Sequence, residues 1–144
     1  MAKFIFRLNS VKMVKENCEK KAKRELAVIN NFISDHQKMR EQLIEEVNSL
    51  RNSIKLRMTA SELKFLSGYK NSLAMKIKNE EAELNRLEQE KKRKISEVMQ
   101  KAKEKKILTQ LEEHQKEEFI KEENKIEMKQ FDEIAIQNFS RDKK

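Results

Sequence analysis

The sequence predicts an all-α fold, a long two-helix antiparallel coiled-coil hairpin whose second helix is longer than the first. The 144 residues include one glycine and no proline, so few positions favour tight turns. Ala, Glu, Lys, Leu and Arg together make up 75 residues, a composition typical of long helices and coiled coils. Apolar residues also recur at steps of three and four. We therefore expect residues 1–144 to form a single coiled-coil domain.

The first helix is predicted over about residues 8–57. Its apolar stripe begins at Leu8, Val11, Lys15, Cys18 and Ala22. After a slip of one residue, it continues through Leu26, Ile29, Ile33, His36, Arg40, Leu43, Val47, Leu50 and Ile54. Seven of these last nine positions are apolar, which predicts the best-packed part of the hairpin.

A turn is predicted at about residues 58–62. Thr59 and Glu62 have the spacing of a capping box, and Ser61 is a second candidate cap for the next helix. Because a short connection makes neighbouring helices antiparallel, facing residues should have numbers that sum to about 120.

The second helix is predicted over about residues 62–139. Steps of three and four run from Leu63 to Ile136 through 22 positions, of which 11 are apolar. Four of these positions are occupied by Lys91, Lys94, Lys101 and Lys105. Long lysine stems can lie along an interface with the ammonium groups in water, and a local unwinding or a partner contact is the alternative.

The composition argues against catalysis and against cofactor or metal binding. A lone Gly68 cannot supply a phosphate-binding loop or a dinucleotide fingerprint. His36 and His114 have no second His or Cys at i+3 or i+4, and Cys18 is the only cysteine. We expect no catalytic, cofactor-binding or metal-binding residues.

Charge is unevenly distributed along the chain. Residues 1–24 and residues 91–106 each contain eight basic and two acidic side chains, whereas residues 112–127 contain three and seven. The basic segments predict either an acidic partner or a solvated, salt-bridged face. No aromatic residue lies among the basic side chains of residues 12–24 or of residues 91–106, so nucleic acid is not an expected partner. No apolar run reaches the roughly 18 residues of a membrane span, and no signal peptide precedes the helices, so we expect a cytoplasmic location without direct membrane insertion.

Both chain ends carry apolar residues. Phe4, Ile5 and Phe6 precede the first stripe, and Leu8 begins it. These four residues either pack on Phe119 of the returning helix or insert into a partner. Residues beyond about 115 should extend past the N-terminus as unpaired helix. Four apolar residues of that extension have no expected intrachain partner, which predicts either a binding surface or disorder: Phe131, Ile134, Ile136 and Phe139.

Several segments resemble the family of the flagellar export protein FliJ. The N-terminal pattern is Phe4-x-Phe-Arg-Leu8-x-x-Val11, and a run of Lys and Glu with Ala22 and Leu26 follows it. The central turn, the stretch Glu104-Lys105-Lys106 and the ending Lys129-x-x-Asp132-Glu133-x-Ala135 extend the resemblance over essentially the whole chain.

The resemblance implies a non-catalytic, stalk-like component of the flagellar type III export apparatus. Its implied partners are the hexameric export ATPase, the cytoplasmic region of the export-gate membrane protein and export chaperones, which would hold it at the cytoplasmic face of the inner membrane. The ATPase end would use Phe4, Phe6, Leu8, Val11, Phe131 and Ile134. The gate contact would use Leu43, Leu50, Leu73 and Ile77, although core packing is the simpler role for these four.

Two alternatives stay open at this point. One is the stalk of a related virulence-type injectisome, which gene neighbourhood would distinguish. The other is a structural homodimeric coiled coil without an ATPase partner, in which each helix pairs with a second chain.

Overall fold

The computed structural model of the protein describes residues 2–54 and 58–143. It contains two α-helices, α1 (Asn9–Asn52, 44 residues) and α2 (Ala60–Asp142, 83 residues), and the described residues contain no β-strand. The helices pack against each other within one chain. The predicted all-α hairpin with a longer second helix is therefore confirmed.

α1 ends at Asn52, earlier than the expected position near 57, and residues 55–57 of that expected end lie outside the described residues. The Ser53 hydroxyl donates a hydrogen bond to the Leu50 carbonyl at 2.8 Å, and the Ser53 N–H donates to the Ser49 carbonyl at 3.1 Å. A serine side chain that binds the preceding turn competes with helix propagation, which accounts for an end at this point.

α2 begins with the capping box that the sequence predicts. The Glu62 N–H donates to the Thr59 hydroxyl, and the Thr59 N–H donates to the Glu62 carboxylate, both at 3.3 Å. This reciprocal pair satisfies two backbone donors that a helix start leaves without partners. The helix consequently starts at Ala60, two residues before the expected start at 62.

The chain divides into two units that are described separately. Unit 2 comprises Lys20–Gln100, and it holds the middle of the protein, from α1 through the connection into α2. Its buried apolar side chains all occupy predicted stripe positions: Ala22, Ile33, Leu43, Leu73 and Leu87. Leu73 is only 1% exposed. Burial of a leucine of this kind stabilises a fold by about 1.5–3 kcal/mol, so these positions hold unit 2 together.

Ion pairs across unit 2 establish its antiparallel register. His36 Nδ1 lies 2.5 Å from Glu80 Oε2, and an Arg40 Nη2 lies 3.1 Å from Glu81 Oε1. Within the same unit, Lys94 pairs with Glu25. The residue numbers of each pair sum to about 120, as the position of the turn predicts.

Unit 1 comprises Met1–Glu19 and Lys101–Lys144. Lys15 Nζ lies 3.0 Å from Glu104 Oε2, and Lys12 pairs with Glu112 farther along α2. The two helices therefore run antiparallel in this unit as well. From residue 124 to its end at residue 142, every residue of α2 is exposed.

Candidate partner-binding surfaces

The N-terminal segment of unit 1 folds onto α2. The Phe4 and Phe119 rings have centroids 5.6 Å apart with their planes inclined at 50°. Phe6 is 6% exposed, so it contributes to the core of the unit, whereas Ile5 points largely into solvent. The sequence left open whether these residues pack on the returning helix or insert into a partner. For Phe4, the structure shows packing on the returning helix.

The six residues proposed for the ATPase end all belong to unit 1, yet their exposure differs. Phe6 is buried and Phe4 is half-buried, while Leu8 and Val11 are about 40% exposed. Phe131 and Ile134 are 69% and 53% exposed. Only the C-terminal members therefore offer large apolar surface to a partner.

A stripe of exposed apolar side chains follows the C-terminal part of α2. Met128, Phe131, Ala135 and Phe139 are spaced by three, four and four residues, which places them on one helical face. All four are exposed, and Ile134 and Ile136 flank them. The unpaired extension was predicted to begin at about residue 115, but Phe119 packs on Phe4 and residue 123 is half-buried. Every described residue beyond 123 is exposed, as predicted for the four apolar residues of the extension.

A cleft of about 1000 Å³ separates the N-terminal segment from α2 in unit 1. Phe4, Ile5, Phe119 and Ile126 form its apolar lining. Its charged lining includes basic side chains from the segment and several carboxylates of α2, among them Lys3, Arg7, Glu118 and Glu122. The cleft can accommodate an apolar side chain between groups of both charges.

The stripe of α1 in unit 1 follows a different path from the expected one. A regular alternation through Leu8, Lys12, Lys15, Glu19 and Ala22 joins the next stripe without any slip. Glu19 is 6% exposed and its carboxylate lies 3.2 Å from Lys105 Nζ. The expected positions at Val11 and Cys18 are more exposed than Lys12 and Glu19 respectively. The predicted slip was wrong, because charged residues that form cross-helix pairs occupy the interface in place of the neighbouring apolar residues.

Cross-helix pairing also accounts for two of the four interface lysines of α2, Lys94 and Lys105. Lys94 is half-buried and binds Glu25 within unit 2, and Lys105 binds Glu19 within unit 1. The hydrogen bond to Glu25 raises the pKa of Lys94, and the same bond lowers the pKa of the Glu25 carboxyl group. In unit 1, the hydrogen bond to Glu112 raises the pKa of Lys12. Carboxylates of the facing helix therefore hold these ammonium groups.

The four residues proposed for the gate contact lie in unit 2. Leu43 and Leu73 are buried, and Leu50 and Ile77 are half-buried. Their packing at the helix interface limits the surface that they can present. A contact in this region would have to use their exposed neighbours together with the edges of Leu50 and Ile77.

No three His, Cys, Asp or Glu side chains among residues 2–54 and 58–143 are grouped so that they could hold a metal ion. Cys18 is a half-buried free thiol. His36 is engaged with Glu80, and His114 lies 3.7 Å from Glu118 on the same helix. Neither helix, over its described residues, is apolar for long enough to cross a membrane.

Comparison with known proteins places the chain in a family. The family model described as "Flagellar FliJ protein" matches residues 4–144. Neither the comparison with curated proteins nor the comparison with solved structures finds a match. The matched region includes the N-terminal aromatic segment, both helices and the exposed C-terminal stripe. The chain therefore belongs to the flagellar FliJ protein family, whose members are non-catalytic components of the flagellar export apparatus.

Proposed function

We propose that this protein is a stalk-like component that binds the hexameric flagellar export ATPase through unit 1 and promotes assembly and activity of the ATPase ring. It would link the ring to the export gate and to export chaperones from a cytoplasmic position at the inner membrane. The observation that carries the proposal is the exposed apolar stripe of α2 in a member of this family.

The stripe supports a protein contact because of its size and continuity. Isolated exposed apolar residues are common on protein surfaces, whereas contiguous apolar surface rimmed by polar groups marks interaction sites. Phe131 and Phe139 lie two helical turns apart and are both more than 60% exposed. Burial of two phenylalanine side chains in a pore or groove would supply a large apolar contact on one helix face.

The N-terminal residues would have a supporting role in this contact. Phe6 is buried and Phe4 packs on Phe119, so both hold the N-terminal segment against α2. Phe131 and Ile134 would then make the direct contact, with Leu8 and Val11 contributing their exposed parts. The gate contact, if it uses Leu43, Leu50, Leu73 and Ile77, would draw mainly on the half-buried pair.

The test is stimulation of the cognate export ATPase by the purified protein. The double variant Phe131→Ser/Ile134→Ser should reduce binding and stimulation at least tenfold while leaving the free energy of unfolding nearly unchanged. The matched control is Val28→Ser/Phe32→Ser, which removes two side chains of comparable exposure from unit 2. It should stimulate like the parent protein.

Two results would reject the proposal. One is a parent protein that neither binds the ATPase nor changes its hydrolysis rate or ring formation. The other is an equal loss of stimulation in both double variants, which would show that the stripe on α2 has no special role. A binding assay with the isolated cytoplasmic region of the gate protein tests the gate contact. It compares the affinity of Ile77→Ser with that of the parent protein, corrected for the stability of the variant.

A further inference from the structure

The end of unit 2 at which α1 stops and α2 starts carries exposed apolar side chains. Ile54 is 57% exposed, Leu63 is 47% exposed and Phe65 is 74% exposed. Two shallow cavities of about 370 and 230 Å³ adjoin at Leu66, and Met58 lines the larger one. We call these five residues the tip patch.

Basic side chains surround the tip patch. The described residues among 47–79 include five basic side chains and one acidic side chain, Glu62. Arg51 and Lys70 line the smaller cavity, and Lys64 is exposed beside Leu63 and Phe65. Within the described part of the chain, no ion pair involves Arg51, Lys64 or Lys70.

The unpaired state of these cations distinguishes them from the basic residues at the helix interface. Lys94 binds Glu25 and Glu97, and Arg40 binds Glu81. The positive charge of the tip is therefore available to an external anionic group, and it lies beside apolar side chains. This combination of aromatic and aliphatic residues with adjacent lysines is typical of segments that bind the surface of anionic membranes.

We propose that the tip patch and its rim of Arg51, Lys64 and Lys70 form a docking surface for an anionic phospholipid bilayer. Phe65 would enter the interfacial layer while the basic groups contact lipid phosphates. The tip patch would bind lipid alone, so the proposal does not depend on an ATPase or gate partner.

The directions of the apolar side chains favour a bilayer over an acidic protein segment. Successive residues of a helix are rotated by about 100°, so Leu63 and Phe65 project about 160° apart around the α2 axis. A single peptide lying along one side of the helix cannot cover both. A lipid interface that receives the end of the helix surrounds both side chains at once.

Tryptophan fluorescence tests the proposal directly, because the chain contains no tryptophan. The variant Phe65→Trp should show a blue-shifted emission when vesicles of phosphatidylglycerol and phosphatidylcholine are added, and no shift with phosphatidylcholine alone. The control is Phe139→Trp, which reports on an exposed aromatic position in unit 1. Its emission should not change.

Charge variants provide the second readout. In vesicle flotation, Lys64→Glu/Lys70→Glu should lower partitioning into anionic vesicles by at least about tenfold, because each basic group near an anionic surface contributes separately. The matched control, Lys92→Glu/Lys103→Glu, makes the same change at two exposed lysines outside the tip. It should lower partitioning by less than about twofold, and circular dichroism should show both variants to be folded.

Three outcomes would overturn the proposal. The first is the absence of partitioning into anionic vesicles. The second is an equal loss in both charge variants or an equal shift at both tryptophans, which would indicate non-specific attraction. The third is a shift of Phe65→Trp on addition of an oligoglutamate peptide but not of vesicles, which would assign the tip to an acidic protein instead.

Discussion

The Phe4 ring lies against the Phe119 ring of α2, with a centroid separation of 5.6 Å. This contact joins residues that are 115 positions apart and fixes the N-terminal segment beside α2 within unit 1. It also forms part of the lining of the large cleft. The aromatic pair therefore organises the surface next to the proposed ATPase contact.

We expect Phe4→Ala and Phe119→Ala to loosen the N-terminal segment. Aromatic pairs contribute about 0.5–1.5 kcal/mol beyond their area burial, so a double-mutant cycle on the free energy of unfolding should show a coupling in that range. Hydrogen exchange of residues 5–12 should accelerate in each single variant. Additive effects of the two substitutions would contradict a direct contact.

Leu73→Ala should destabilise the protein by about 2–5 kcal/mol, because it removes a side chain that is 1% exposed. Leu50→Ala should cost less, since Leu50 is half-buried. Ile136→Ala should change the free energy of unfolding by less than about 0.5 kcal/mol, because that side chain is exposed. Urea denaturation measures all three, and equal losses would show that the exposed stretch of α2 is packed in solution.

Gly68→Ala should stabilise the protein by about 0.5–1 kcal/mol. Gly68 lies inside α2, and a Cβ atom added there would have no neighbour within 4 Å. Alanine restricts the unfolded chain more than glycine does, so helix formation loses less entropy. The reverse substitution at another exposed position of α2, Ala74→Gly, should destabilise by a similar amount. A loss of stability in Gly68→Ala would point to a contact that requires glycine.

Stability should fall in acid partly through Glu25. The hydrogen bond from Lys94 lowers the pKa of Glu25 below its ordinary value of 4.5. The unfolded chain therefore binds more protons than the folded chain between the two pKa values. The contribution of the pair is present above about pH 4.5 and is lost as the pH falls through the lowered pKa.

Denaturation of the parent protein and of Glu25→Gln between about pH 3 and pH 6 measures this effect, since carboxyl groups titrate in that range. The difference in stability between the two should shrink as the pH falls. Glu117→Gln serves as the control, because Glu117 is exposed and the ion pairs among the described residues do not include it. A difference that is constant with pH in Glu25→Gln would exclude a charge contribution from the pair.

The sequence correctly predicts the positions of residues whose burial or hydrogen bonding depends on a single factor. Ala22, Ile33, Leu43, Leu73 and Leu87 follow the apolar period, and the structure buries them. The capping box at Thr59 follows from local hydrogen bonding, and the structure forms it. Both features depend on residues close together in the chain or on a regular repeat.

The sequence gives wrong positions where burial of apolar side chains competes with ion pairing across the helix interface. We expected Val11 and Cys18 at the interface, but Lys12 and Glu19 are more buried than these respective positions. The steps of three and four through Lys12, Lys15 and Glu19 were the signal that could have identified these positions. Because the three residues are charged, an apolar pattern does not include them. For Phe6 the sequence left packing and insertion into a partner both open, and the side chain is buried in the fold. The expectation of one coiled-coil domain stays a prediction.

The sequence by itself determined the helical fold, the capping box at the start of α2 and the antiparallel register, because periodicity, capping and the scarcity of helix breakers are local properties. Only the tertiary structure decided which charged residues pair across the interface, that Phe4 packs on Phe119, and that Phe65 is exposed. These outcomes depend on which side chains lie close together in the folded chain. The apolar or charged character of a residue does not by itself specify whether it contacts its own chain or a partner.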